Sequence, residues 1–151
     1  MATPRVSTAL WILASLAPAV LIAQSGNDSV DAAKISSLIQ TVASKNPGKI
    51  VHLISYPFRM RYPEPSVTSA AECLKRFDEV FDDSLLNDIA HSDPKSDWER
   101  VGWRGIMLGN GEVWLDEDYK IIAINHETEA GKALRARLIA QHRHASLMGR
   151  H

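Results

Sequence analysis

Two hydrophobic periods run through this chain, and they are largely segregated. Up to about residue 91 the apolar residues recur mostly at helical spacing, apart from one short alternating stretch at 58–62. From 100 to 125 they come in short runs separated by glycine-rich or acidic turns. Helices followed by strands cannot build a doubly wound parallel sheet, which needs the two to alternate. The pattern predicts an α+β domain, with helices first and an antiparallel meander last.

The helical part is read as follows. In 29–44, Ile35, Leu38, Ile39 and Val42 form one apolar stripe, and Asn46-Pro47-Gly48 stops it. Residues 48–56 fit either a buried strand or a short helix. Phe58, Met60 and Tyr62 alternate with Arg59 and Arg61, which predicts a half-buried strand closed by Pro63 and Pro65. Ser69 and Glu72 fit a capping box opening a rod over 69–81, with Ala70, Cys73, Leu74, Phe77, Val80 and Phe81 on its apolar face. Residues 84–91 make a shorter helix before Asp93-Pro94. Then 100–108 and 112–115 form a hairpin about Gly109-Asn110-Gly111, and 120–125 is a third, central strand. Beyond Asn125, residues 129–146 predict an extra C-terminal helix with Ala130, Leu134, Leu138 and Ala145 on one face.

The first segment reads as an address. Arg5 precedes the uncharged run 9–23, and small residues offer cleavage after Ala19 or Ala23, the latter preferred. Spanning a bilayer takes ~20 apolar residues, and Pro18 interrupts this shorter run. The expected organisation is therefore a signal peptide at 1–23, a flexible lead at 24–30, a domain at 31–126 and a basic tail at 127–151. The expected destination is the periplasm or the exterior, with no stable membrane span after cleavage. One cysteine in an exported chain means no internal disulfide, so stability must come from a hydrophobic core. Cys73, on the apolar face of a helix, reads as a small buried hydrophobe.

Charge is balanced overall, 17 Lys+Arg against 18 Asp+Glu, which argues against a nucleic-acid partner. The balance hides a polarity. Residues 64–99 hold ten acids and three bases, whereas no acid follows Glu129 in a tail carrying Lys132, Arg135, Arg137, Arg143 and Arg150. Matching of the two regions within the chain, or plain solvation, is the first explanation.

Several motifs carry a resemblance. They are Tyr56-Pro57-Phe58-Arg59, the Phe77 to Phe81 spacing, the hairpin Gly105-Ile106-Met107-Leu108-Gly109-Asn110-Gly111-Glu112-Val113-Trp114, and Ile122-Ala123-Ile124-Asn125. On these, 31–125 resembles small exported bacterial domains of the cystatin-like/NTF2-like (SnoaL-like) group. The resemblance implies a bent sheet wrapped around a long helix, with a cone-shaped pocket at its open end. It also favours a helix over 48–56. The basic tail departs from the group's pattern. Such folds carry isomerases, dehydratases, hydrolases and plain binding modules, so the fold does not choose among them.

Candidate ligand-binding residues at the cone mouth are Tyr56, Arg59, Trp98, Trp103, Arg104 and Trp114. Indoles supply large contact area and one donor, and guanidinium forks suit anions. Arg59 and Arg61 could join Arg104 around an anion, or pair with the acidic helices. These residues point to a non-enzymatic binding module for a protein partner or a small amphipathic ligand in the cell envelope. The alternative is a small lyase, isomerase or hydrolase using Glu112 or His52 as base, with Tyr56 a helical turn from His52. Nucleophile, phosphate-loop and compact metal-ligand signatures are absent from the sequence, so no cofactor and no metal are expected. Oligomeric state stays open, with a homodimer through the exposed face of the sheet as the arrangement such folds suggest.

Overall fold

The computed structural model describes residues 29–148. The expected leader at 1–23, most of the lead after it and the last three residues of the tail lie outside that range. The order is α1 (Ala32–Ala43), α2 (Pro47–Ile50), α3 (Ala70–Lys75), α4 (Phe77–Val80), α5 (Asp83–Ala90), β1 (Trp98–Arg100), β2 (Ile106–Leu108), β3 (Val113–Leu115), β4 (Ile121–Ile124) and α6 (Glu129–Met148). This is an α+β fold with an open four-stranded antiparallel sheet, β1-β2-β3-β4, and a C-terminal helix.

α1 begins where Asp31 accepts hydrogen bonds from the amides of Ala33 and Lys34, at 3.0 and 3.4 Å. Its stripe of Ile35, Leu38 and Val42 is buried, and the helix packs on α5. Asn46-Pro47 both stops and starts structure. Asn46 caps α2, with proline in its first turn where no amide partner is needed. A 3-10 turn, Val51–Leu53, continues it, so 48–53 is helical. The chain then extends, and Ile54 forms a lone parallel bridge to Ile121 on the outer side of β4, which is an edge strand and not the central one its apolar composition predicts.

Several expected elements come out differently. Residues 58–62 do not form a strand; Phe58 alone bridges to Val67, and Tyr62 is 85% exposed. A two-residue alternation followed by prolines lacks a partner strand to pair with. The rod over 69–81 is broken at Arg76, whose φ of −110° and ψ of 23° end α3 and open α4. That break turns the Arg76 guanidinium inward to Glu79 and Glu72, and leaves Leu74 half exposed. The capping box is also rearranged. Ser69 accepts from the Glu72 amide at 3.2 Å, but the Glu72 carboxylate reaches the amide and hydroxyl of Thr68, at 2.8 and 2.7 Å.

The stretch 100–108 is two short strands, not one. A 3-10 turn, Gly102–Arg104, and Gly105 fold β2 back on β1, so the meander has four strands. Gly109 and Gly111 form the expected next turn, with the Gly111 amide on the Leu108 carbonyl at 2.9 Å. Strand parity sorts the side chains. Trp98, Ile106, Leu108, Val113, Leu115 and Ile121 are buried in one core with Ile35, Val42, Phe81, Leu85 and Ile89. Glu99, Met107, Trp114 and Ala123 are mutual partners on the opposite face. That face is more open, with Ile122 38% exposed beside it.

α6 is tied to the body at its base. Thr128 is buried and donates to the Glu79 carbonyl at 3.1 Å, and its hydroxyl accepts from the Gly131 amide at 3.0 Å. A side chain at 131 would meet the Glu79 carbonyl at 3.1 Å, so glycine is what lets helix and body close up. Among the described residues no helix is long and apolar enough to cross a membrane.

Candidate functional site

The structure disperses the residues expected at one cone mouth. Trp98 is a core residue, with its indole N–H on the Ser92 hydroxyl at 3.0 Å. Trp114 lies on the other face of the sheet, half-buried, donating to the Gly111 carbonyl at 3.0 Å. Trp103 caps the β1–β2 turn and is 92% exposed. The three indoles therefore do not line one cavity. Strand parity puts Trp98 and Trp114 on opposite sides, and the unforeseen turn at Gly102–Arg104 carries Trp103 out of the sheet altogether.

Tyr56 is half-buried. Its hydroxyl donates to the Val51 carbonyl at 2.7 Å, and burial raises its pKa above the usual phenol range. Burial also raises the Cys73 thiol, which the Tyr56 hydroxyl and the Arg76 charge only partly offset. A fully buried thiol held protonated is a packing element, as expected. His52 is exposed, and its backbone carbonyl accepts from Lys120 Nζ at 2.8 Å, while the Tyr56 hydroxyl is taken by the Val51 carbonyl. Glu112 is exposed beside Asp88, His91 and Asp97 around an open hollow that does not include His52.

Arg59 and Arg104 are both exposed, and they serve different places. Arg59 lies with Arg61 at a small cleft of about 40 Å³, room for little more than water. Arg104 sits over the Trp103 ring, its guanidinium carbon 5.9 Å from the centroid. At such an exposed site a cation–π contact contributes ~0.5–1 kcal/mol.

The cleft holds the residues that the sequence did not single out. Glu64 is 93% buried by its neighbours, being only 7% exposed, and receives Arg135 Nε at 2.8 Å. Arg135 also reaches Glu127, which Arg61 approaches at 3.4 Å. Nearby, Arg76 links Glu79 at 2.6 Å and Glu72 at 3.3 Å. Charge matching between the acidic middle and the basic tail is thus observed at Glu64 and Arg135. No spacing rule could pair two residues 71 apart. The arrangement is a set of carboxylate–guanidinium contacts, those of Arg135 fastening α6 to the body, while Arg76 Nη2 is buried without a hydrogen-bond partner among the described residues.

Asp82 closes this neighbourhood. It caps α5 through the Leu85 amide at 2.9 Å and meets His126 Nε2 at 2.8 Å. Partial burial works against its charge, but these hydrogen bonds prevail and hold the carboxyl below its ordinary value of 3.8. A carboxylate depressed on folding stabilises at pH above its unfolded value and loses that contribution as acid protonates the folded form. Wild-type stability is therefore expected to fall as pH drops below 3.8 through the folded value. Asp82→Asn keeps the cap but removes the negative charge at the helix start, and is expected to lower stability at pH 7 by about 0.5–1 kcal/mol and to flatten that acid limb. Urea unfolding at several pH values checks both; an unchanged acid limb would refute the assignment.

Comparison with protein-family models, with curated proteins and with solved structures finds no match to this chain. The site must be judged on its own chemistry. Among the described residues, no group of three or more His, Cys, Asp and Glu is placed to hold a metal ion. Among the described residues, the turn carrying exposed Trp103 and Arg104, and the sheet-face residues Met107 and Trp114, offer apolar and cationic surface to a partner.

Proposed function

We propose that this protein is an exported interaction module that binds a protein partner through the β1–β2 turn. Trp103 carries the proposal. A tryptophan 92% exposed keeps its whole apolar area in water, and burying it against a partner releases that cost. The adjoining residues suit an interface. Arg104 supplies a charge already stacked on the indole, and Met107, Trp114 and Ala123 give a mixed, mainly apolar sheet face. The short turn, bounded by Gly102 at φ 50° and Gly105 at φ 103°, holds the indole on a defined support. Strong export character at 9–23 supports a partner in the cell envelope or outside the cell.

We further propose a diverged cystatin-like/NTF2-like ancestry. Its support is the order of helices before an antiparallel meander, with Tyr56-Pro57 ahead of it and Ile122-Ala123-Ile124-Asn125 closing it. The partner surface in this reading is the turn and the open sheet face. An enclosed cone is not required.

A photo-crosslinking residue at 103, with one at exposed Lys95 as control, tests the interaction in the producing cell. A discrete adduct at 103 and none at 95 is expected. With the partner so identified, Trp103→Ala is expected to weaken binding by ~2 kcal/mol or more, about thirtyfold, without lowering the melting temperature. Equal labelling at 103 and 95, or unchanged affinity, would remove Trp103 from the function.

A further inference from the structure

The turn after Phe58 and the outer half of α6 face each other across a cleft of about 570 Å³. One wall is Tyr62 and Pro63. The other is Ile139, Arg143 and Leu147, whose spacing of four puts them on one side of the helix. The two walls are tied together at the foot of the cleft. Glu64 receives Arg135 Nε at 2.8 Å, one turn before Ile139, and the Glu64 amide donates to the Arg61 carbonyl at 2.9 Å. The ion pair that fastens α6 therefore also sets the separation of the walls.

The cleft is apolar and positively charged, and neither property is spent within the chain. Seven large apolar side chains are exposed among the described residues, and three of them line it: Tyr62 at 85%, Leu147 at 72% and Ile139 at 38%. Apolar residues scattered singly over a surface are ordinary, whereas three converging on one concavity mark a binding surface. Arg143 has no hydrogen-bond or ion-pair partner among the described residues. No Asp or Glu lines the cleft, and none follows Glu129 along the helix. Glu64 and Glu127 near its foot are already engaged by Arg135, and Arg61 reaches Glu127 as well. His142 shares the wall, its Nδ1 donating to the Leu138 carbonyl at 2.8 Å.

These features select the chemistry of an occupant. The volume falls within the ~300–1,000 Å³ of small-molecule sites. Ile139 and Leu147 are about 12 Å apart along the axis, at 1.5 Å per residue. An extended alkyl chain laid along that wall covers both of them and the Tyr62 ring, and removing this apolar surface from water is favourable. The guanidinium one turn from each suits a carboxylate or phosphate head. A bilayer surface would meet only the projecting edges of the two walls and leave the space between them unfilled. We propose that this cleft binds a monomeric single-chain anionic amphiphile, of the class of a free fatty acid, with its head at Arg143 and its chain between α6 and the Tyr62–Pro63 turn. The cleft takes no residue from the Trp103 turn, so the two readings stand or fall separately.

The test titrates the full chain calorimetrically with dodecanoate kept below its micelle concentration. Saturable binding at a single site is expected. Hexanoate, which has less apolar area to bury, and dodecyltrimethylammonium, which has the same chain and the opposite charge, are each expected to bind at least about tenfold more weakly. R143Q is expected to weaken dodecanoate about tenfold, as for loss of a hydrogen bond to a charged group. Y62A and L147N, one on each wall and both at exposed positions, are each expected to weaken it about fivefold with the melting temperature unchanged. R137Q removes an equally exposed charge that does not line the cleft, and is expected to leave binding unchanged. Equal weakening by R143Q and R137Q would reveal diffuse attraction to a basic helix and overturns the proposal. So does binding that Y62A leaves intact. Failure to bind dodecanoate overturns it as well, whether the chain then attaches to phosphatidylglycerol vesicles or to neither probe.

Discussion

Gly105→Ala is expected to cost about 4 kcal/mol or more, enough to leave much of the chain unfolded at moderate temperature. The backbone there has φ 103° and ψ −151°, a region that essentially only glycine occupies. An added Cβ would also stand 2.1 Å from the Leu115 carbonyl oxygen, which is backbone of a paired strand and cannot swing away. Relief requires moving β2 off β3 or losing the hydrogen bond from the Val101 amide to the Gly105 carbonyl, now 2.8 Å. Gly102, three residues earlier, is the internal control. Its φ is 50°, but nothing lies within 4 Å of the position a Cβ would take. Gly102→Ala should therefore cost only about 1 kcal/mol. Urea denaturation of the two variants measures the contrast, and equal losses would mean that the turn yields more easily than its packing implies.

Arg135→Met is expected to destabilise by about 3 kcal/mol. The Glu64 side chain is 2% exposed and the Arg135 side chain 19%, so deleting the guanidinium strands a carboxylate that water reaches poorly. Glu127 loses its partner as well, though Arg61 remains beside it. The pair is a fastening between α6 and the loop after Phe58, not a large net source of stability. Replacing both members with apolar residues, as in Glu64→Leu with Arg135→Met, should recover most of the loss, because neither charge then has to be desolvated. Equilibrium unfolding of the two single variants and the double variant closes the cycle. Additive losses would show that the two side chains do not depend on each other.

Local rules were legible wherever the deciding contacts lie within a few residues. Ser69 reads as a cap and does accept from the Glu72 amide three positions on. Asp31, Asn46 and Asp82 cap their helices by the same short-range rule, although none of them is among the caps expected from the sequence. The stripe of α1 and the glycine turn at 109–111 need no distant partner either. Legibility failed where a distant group intervened. Arg76 reads as an outward residue of a continuous rod, yet the Pro65 carbonyl, 11 positions back, joins the nearby Glu72 and Glu79 in holding its guanidinium at a break in the helix. Phe58 to Tyr62 has strand spacing but only Val67 to pair with. The three indoles were grouped because they are close in sequence. Their faces depend on where 100–108 folds back, and Gly102 and Gly105 decide that by adopting positive φ.

Composition and periodicity determined the class of this protein: helices first, an antiparallel sheet after them, a cysteine in the core and a charged helix at the end. Those features follow from burial and backbone geometry that repeat every two or 3.6 residues, so a short window contains the information. Which surfaces remain free was decided only by tertiary structure. The union of Glu64 with Arg135 across 71 positions, the burial of Trp98 and the exposure of Trp103 all depend on how far-apart segments meet. Such meetings are set by the energy of the whole packed core, to which every distant segment contributes at once.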